Sequence, residues 1–124
     1  MNRQQLESYI EEAYNANAEH PWAPESDHTV FRHRSNRKWF AVVMEIPKAK
    51  LGIGERGSMC IVNLKCDPLM VGSFLCEAGV FPAYHMNKTH WLSVAPNSGI
   101  DSDKLKLLID ISFELTAHNR KIRS

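Results

Sequence analysis

The sequence predicts a single α+β domain over residues 1–124, a mostly antiparallel sheet with N-terminal, middle and C-terminal helices. Three observations predict it. Apolar residues recur at helical spacing near both ends, in Leu6–Tyr14 and Leu105–Thr116. Between them lie short runs rich in β-branched and aromatic residues, separated by turn residues. Asp67-Pro68, a cap residue followed by a proline suited to the first helical turn, breaks those runs with a middle helix.

Asn2 can cap the first helix, and Leu6, Tyr9, Ile10, Ala13 and Tyr14 form one stripe on it, with Glu7, Glu11 and Glu12 on the solvated side. The helix fades by Asn17, before Pro21. Residues 20–27, with Pro21 and Pro24, form a loop, because the prolines leave no room for a ladder or a helical turn. Trp22 within it is expected to plug the edge of the core, with stacking on a ligand as its alternative role.

Thr29–His33 and Lys38–Ile46 flank Arg34-Ser35-Asn36-Arg37 and read as a hairpin. Strict alternation puts Trp39, Ala41 and Val43 on one face of the second strand and Phe40, Val42 and Met44 on the other. Both sets are apolar, so this strand is central or covered on both sides. Pro47 ends it.

Lys48–Ser58 carries three glycines and reads as a long flexible hairpin loop. Gly52-Ile53-Gly54-Glu55-Arg56-Gly57 echoes a phosphate loop, but a strand, Met59–Leu64, follows where that motif needs a helix. The middle helix then runs from Pro68 to about Ala78, with Leu69, Met70, Phe74 and Leu75 giving apolar contacts and Gly79 as its C-terminal cap. Pro82–His90 has neither helical nor strand period and reads as a loop entering the strand Trp91–Val94. Residues 96–99 turn the chain, Asp101 or Ser102 caps the last helix, and Leu105, Leu108, Ile109, Ser112, Phe113 and Thr116 form its stripe. His118, Arg120, Lys121 and Arg123 offset the macrodipole at its end.

Composition excludes several classes. The net charge of +1 leaves any nucleic-acid binding to a local patch. Three cysteines with no CxxC pair argue against a disulfide framework and for free thiols in a reducing cytoplasm. No apolar run reaches the roughly 20 residues of a membrane helix, and the polar start of the chain lacks a secretory h-region. A cytoplasmic monomer without cofactor is the resulting expectation.

The densest chemistry is Tyr84-His85-Met86-Asn87-Lys88-Thr89-His90-Trp91. With Asn63-Leu64-Lys65-Cys66-Asp67-Pro68 before it and Leu108-Ile109-Asp110-Ile111-Ser112-Phe113-Glu114-Leu115-Thr116 after it, in that order and spacing, the chain resembles the MmcQ/YjbR family of small bacterial proteins. The resemblance covers nearly the whole chain. It implies a CyaY-like α+β fold and DNA binding through two hairpin wings. The loop Lys48–Ser58 is longer and richer in glycine than in shorter family members, which would change the reach of one wing.

For double-stranded DNA the candidate contacts are Arg32, Arg34, Arg37 and Lys38 at the first hairpin, Lys48 and Lys50 at the second, with Arg56 beside them, and Lys88 in the loop. Arg32 and Arg34, two apart, would share a strand face. Four to six phosphate contacts would give log K against log salt a slope of roughly −4 to −5. The alternative is a site for a small anion or a protein partner built from Lys65, Tyr84, His85, Asn87, Lys88, His90 and Trp91. Its structural counterpart is a chain reversal at Asn87-Lys88 with His90 bonded to the backbone. A third reading is cysteine chemistry, with Cys66 activated at a helix N-terminus and His85 or His90 as base. His85 and His90 are five apart and lack the spacing of a zinc motif, so no metal is expected.

Overall fold

The computed structural model describes residues 1–21, 26–54 and 56–117. The chain runs α1 (Arg3–Tyr14), β1 (Ala18–Glu19), β2 (Thr29–Arg32), β3 (Trp39–Pro47), a short 3-10 helix (Lys48–Leu51), β4 (Ser58–Lys65), α2 (Pro68–Phe74), β5 (Val80–Pro82), β6 (Trp91–Val94) and α3 (Ser102–Ala117). The six strands form one antiparallel sheet in the order β1-β2-β3-β4-β6-β5. The α+β class and the helix–sheet–helix order follow the sequence. None of these helices is long and apolar enough to cross a membrane.

The caps explain where the helices begin. Asn2 accepts from the Gln5 amide while the Gln5 side chain accepts from the Asn2 amide, a reciprocal capping box. Asn15 closes α1 in the left-handed region at φ 52°, which asparagine tolerates better than most residues. Asp67 caps α2 through the Leu69 amide, with Pro68 at its first position. At α3, the Asp101 carboxylate accepts from the Lys104 amide, which makes Asp101 the capping side chain.

One sheet face carries α1 and α3. Leu6 and Ile10 of α1 and Leu105, Leu108 and Ile109 of α3 are buried against Phe31, Ala41, Val43, Val62, Leu64 and Val94. Each of these side chains except that of Ala41 contributes about 1.5–3 kcal/mol of burial. The opposite face gathers Val30, Val42, Met44, Ile46, Ile61 and Ala95 into a second apolar cluster. No residue of α1, α2 or α3 belongs to it. It is packed instead by Trp39, Leu51, Met59, Phe81 and Tyr84. Strand β3 is therefore central and apolar on both sides.

Four sequence expectations are corrected here. A β-bulge between β2 and β3 pairs Phe31 with Ala41 but Arg32 with Trp39, leaving Phe40 as the extra residue. It reverses the alternation: Phe40 joins the helix side and Trp39 the open side. Second, α2 stops at Phe74, and residues 75–79 turn on bonds such as Cys76 N–H to Ser73 O and Glu77 N–H to Phe74 O. Leu69 and Met70 give no core contact, being exposed at 92% and 41%, and burial falls to Phe74 with Val71 and Leu75 partly covered. Third, a 3-10 helix lies within Lys48–Ser58, which reads as a loop, and β1 adds a strand at residues 18–19, which the sequence assigns to no element. Fourth, β2 ends at Arg32, so Arg34 lies in the following turn and does not extend the strand face of Arg32. Trp22, His118, Arg120, Lys121 and Arg123 lie outside the described residues.

Candidate functional site

The bulge has a chemical consequence on the open face. Alternation from Val30 puts Arg32 there, alternation from Ile61 and Asn63 puts Lys65 there, and alternation from Ser93 puts Trp91 there. Arg32 pairs with Trp39 in register, and Lys65 pairs with Trp91. Lys65 lies one step beyond the Ala41–Leu64 pair, at the level of the bulge. The row across β2, β3, β4 and β6 is therefore arginine, tryptophan, lysine, tryptophan. The Arg32 guanidinium lies over the Trp39 ring, 5.7 Å from its centroid, a cation–π arrangement. All four side chains are half-buried.

Helix α3 fixes the backbone beneath this row. Next to the bulge the β3–β4 register ends at Ala41–Leu64, one step short of the Phe40 carbonyl and the Lys65 amide. Ser112, fully buried, takes both: its Oγ donates to Phe40 O at 2.6 Å and accepts from Lys65 N–H at 2.8 Å.

Beside the row, on the same face, is a cavity of about 450 Å³. Val42 and Met44 floor it, with Asn63 behind them. Trp39 forms one wall, and His28, Ser26, His85 and Met86 line the rest. The 84–86 segment that closes it is held by a ring of hydrogen bonds. Ser93 Oγ accepts from the Tyr84 amide at 2.8 Å and donates to Asn63 Oδ1 at 2.5 Å, and Asn63 Nδ2 donates to Tyr84 O at 3.1 Å. His85 follows at φ 59°, a left-handed conformation costly for a residue with a Cβ, with its ring stacked on Tyr84 at 3.9 Å.

The sequence-predicted residues fall into three places. Around the turn 33–38, Arg34, Arg37 and Lys38 are exposed. Arg34 Nε donates to Asn15 O at 2.7 Å, a cation at the C-terminal end of α1. Arg37 Nη2 lies 3.4 Å from Glu19 Oε2. Arg32 Nε lies 3.1 Å from Glu19 Oε1 at an angle outside hydrogen-bond geometry. Lys48 and Lys50 sit at the far end of β3, whose nine residues span roughly 27 Å. Lys50 and Lys88 line a second cavity of about 260 Å³ with Phe81, Pro82 and Tyr84. Arg32, Arg34, Arg37, Lys38 and Lys65 thus gather at one end of the sheet and Lys48 at the other, while Lys88, next to the Asn87 carbonyl that bonds the Trp91 amide, shares a cavity with Lys50.

The Tyr84–Trp91 block is divided in its roles. Asn87 turns the chain: its Oδ1 accepts from Thr89 N–H at 2.7 Å and its carbonyl from Trp91 N–H at 2.9 Å. His90 offers its carbonyl to the Cys66 amide at 2.7 Å. The Asn87 turn is the structural role weighed against ligand contact, while the His90 bond uses its main chain and leaves the ring exposed. Cys66 is buried, and that burial, with Asp67 nearby, pushes its thiol up from the ordinary value, the reverse of the activation expected at a helix N-terminus. Burial likewise pushes Cys60 to about 12. Among the described residues no group of three His, Cys, Asp or Glu side chains could hold a metal ion.

The architecture and its motif blocks match known proteins. The YjbR family model matches residues 12–115. The chain belongs to the YjbR family. It is 31% identical over 116 residues to the uncharacterized Bacillus subtilis (strain 168) protein YyaQ, covering 94% of this chain and 98% of that protein. It is 42% identical over 57 residues to uncharacterized YbdF of Escherichia coli O157:H7, covering 44% and 45% of the two chains. A crystal structure of a Pseudomonas syringae protein, 42% identical, superposes with a TM-score of 0.90 over 94% of this chain and 99% of that one. A Deinococcus radiodurans protein, 19% identical, shares the fold with a TM-score of 0.68 over 96% and 80% of the chains.

In this YjbR-family chain the sequence reading missed Trp39, His28 and Met86 as site residues. Trp39 had the wrong face because the bulge was not anticipated. His28 and Met86 carry no local pattern and reach the cavity only through tertiary folding.

Proposed function

We propose that this YjbR-family protein is a non-enzymatic nucleic-acid-binding module that uses the open sheet face at the 33–38 end. The observation that carries this reading is the arginine–tryptophan–lysine–tryptophan row. Cations spaced between aromatic rings on an exposed sheet face suit phosphates and base faces together. The exposed Arg37 and Lys38 extend the row at its edge. The raised Cys60 and Cys66 thiols support a binding role over covalent chemistry, and three free thiols suit a reducing cytoplasm.

Lys48 and Lys50 follow the far end of β3 and Lys88 lines the cavity it shares with Lys50, so the contacts taken for this footprint are Arg34, Arg37, Lys38 and Lys65. Four phosphate contacts give a salt slope of roughly −3 to −4, shallower than the sequence alone suggested. The test is fluorescence anisotropy with labelled single- and double-stranded oligonucleotides across a salt series. Arg37→Ala/Lys38→Ala should weaken binding to both and flatten the slope by about 2. No binding at tens of micromolar protein in low salt would refute the proposal.

A second reading is favoured by one observation. Lys50 and Lys88 line the same cavity with Tyr84, which suits a small anion bearing an apolar group. Titration with benzoate, followed by amide chemical shifts at residues 81–88 and repeated in Lys88→Ala, separates it from the first.

A further inference from the structure

We infer that the cavity on the open face receives one unstacked nucleobase, so that the preferred partner is a single strand and not a duplex. This inference rests on the nucleic-acid reading above and names its ligand.

The cavity has the chemistry for a base and lacks that for a phosphate. Among the described residues no lysine, arginine, aspartate or glutamate lines it. Val42 and Met44 give an apolar floor and Trp39 an aromatic wall, and at the edge Ser26 Oγ and His28 Nδ1, 2.8 Å apart and bonded to each other, form a polar pair that a ring edge can exchange with. At about 450 Å³ it lies within the roughly 300–1,000 Å³ range of small-ligand sites.

Its position ties it to the backbone-binding cations. Trp39 belongs both to the cavity wall and to the row, with the Arg32 guanidinium over its ring. A base held beside Trp39 leaves its own phosphates near Lys65 and the exposed turn 33–38. A duplex cannot present this arrangement without extruding a base, which costs a few kcal/mol of lost stacking and pairing. A single strand pays much less.

The lid is built in advance. Asn63 and Ser93, both fully buried, spend their side chains on the two backbone groups of Tyr84. They hold His85 at φ 59° over the cavity, a strained conformation kept by its surroundings. A site formed before binding loses less to ordering on association.

The test compares three labelled strands in anisotropy: a single strand of mixed sequence, its blunt duplex, and an abasic strand with the same number of phosphates. The single strand should bind at least about fivefold more tightly than the abasic strand, the lower end of one base–aromatic stack. Met86→Trp, whose larger side chain takes up part of the cavity, should lower the preference for the intact strand. His85→Gly, which suits the left-handed backbone and so preserves the fold, should also shrink the preference. Equal binding of intact and abasic strands overturns base capture while leaving phosphate binding standing. A preference unchanged by Met86→Trp overturns the assignment to this cavity. Absence of binding to all three strands overturns this inference and the proposed function together.

Discussion

Ser112→Ala tests whether the bulge, and with it the aromatic row, depends on a single hydroxyl. The Ser112 Oγ donates to Phe40 O at 2.6 Å and accepts from Lys65 N–H at 2.8 Å, and the residue is fully buried. Alanine removes the oxygen and leaves both backbone groups without a partner. A buried polar group left unmatched costs about 1–3 kcal/mol, so the loss should be about 2–4 kcal/mol, a large part of the roughly 5–15 kcal/mol that holds such a domain folded. The melting temperature should fall by roughly 8–16 °C for a chain of this length. Urea unfolding is the assay, with the midpoint moving and the slope unchanged. Ser8→Ala, on the exposed side of α1, should stay within about 0.5 kcal/mol and serves as the control. A loss for Ser112→Ala below about 1 kcal/mol would show that the bulge satisfies its backbone by another route.

Two further outcomes are expected. Burial lowers the His33 pKa, Lys38 adds to the shift, and the Phe113 carbonyl and Glu114 oppose it. Thr116 Oγ1 donates to Ser112 O at 2.7 Å, so it accepts from His33 Nε2 at 2.8 Å, which puts the neutral ring's proton on Nε2. The unfolded chain then binds this proton at higher pH than the folded one. Stability is complete above the unfolded value of about 6.5 and declines as pH falls below it, by at most about 1.4 kcal/mol per pH unit from this residue. Urea melts at stepped pH should show the decline in the wild type and a smaller one in His33→Phe; equal declines would refute the assignment. For the thiols, brief iodoacetamide treatment near neutral pH followed by peptide mass analysis should find Cys76 labelled first, because it is exposed while burial holds Cys60 and Cys66 protonated. Labelling of Cys66 ahead of Cys76 would restore the catalytic reading.

Local chemistry accounts for what the sequence made legible. Asn2, Asp67 and Asp101 are caps whose bonds lie within three residues, and each was readable from its neighbours. The stripes of α1 and α3 were readable because burial against a sheet demands one apolar face. What was hidden depends on contacts distant in sequence. The bulge at Phe40 is stabilised by Ser112, 72 residues away, and nothing in residues 38–46 announces it. A helix from Pro68 to Ala78 was expected from its cap and glycine, yet Gly72 and the exposed Leu69 and Met70 leave only its C-terminal half something to pack against. Within the site, residue type alone points to Lys65, Tyr84, His85 and Trp91, while strict alternation puts Trp39 on the face of Ala41 and Val43, which is the helix side.

The bulge also explains why one motif block can serve both fold and site. A residue-by-residue ladder from Ala41 to Trp39 would turn Trp39 toward the helices and Phe40 toward the open face. The open face would then lose its polarisable indole beside Arg32, and the helix side would lose the ring that meets His33 at 5.2 Å and Phe113 at 4.9 Å. One inserted residue exchanges the two aromatics. Beside it the Phe40 carbonyl and the Lys65 amide lie one step beyond the β3–β4 register, and α3 bonds both through Ser112. Asn63 and Ser93 do the same for the lid, satisfying the Tyr84 backbone so that His85 can hold its left-handed turn. In both places a buried hydroxyl or carboxamide that reads as structural is what makes the exposed chemistry available. Substitutions at Ser112, Ser93 and Asn63 should therefore alter binding through the placement of Trp39 and His85, and their effect on affinity should follow their effect on stability. Those at Met86 and Lys38 should change affinity with the fold intact.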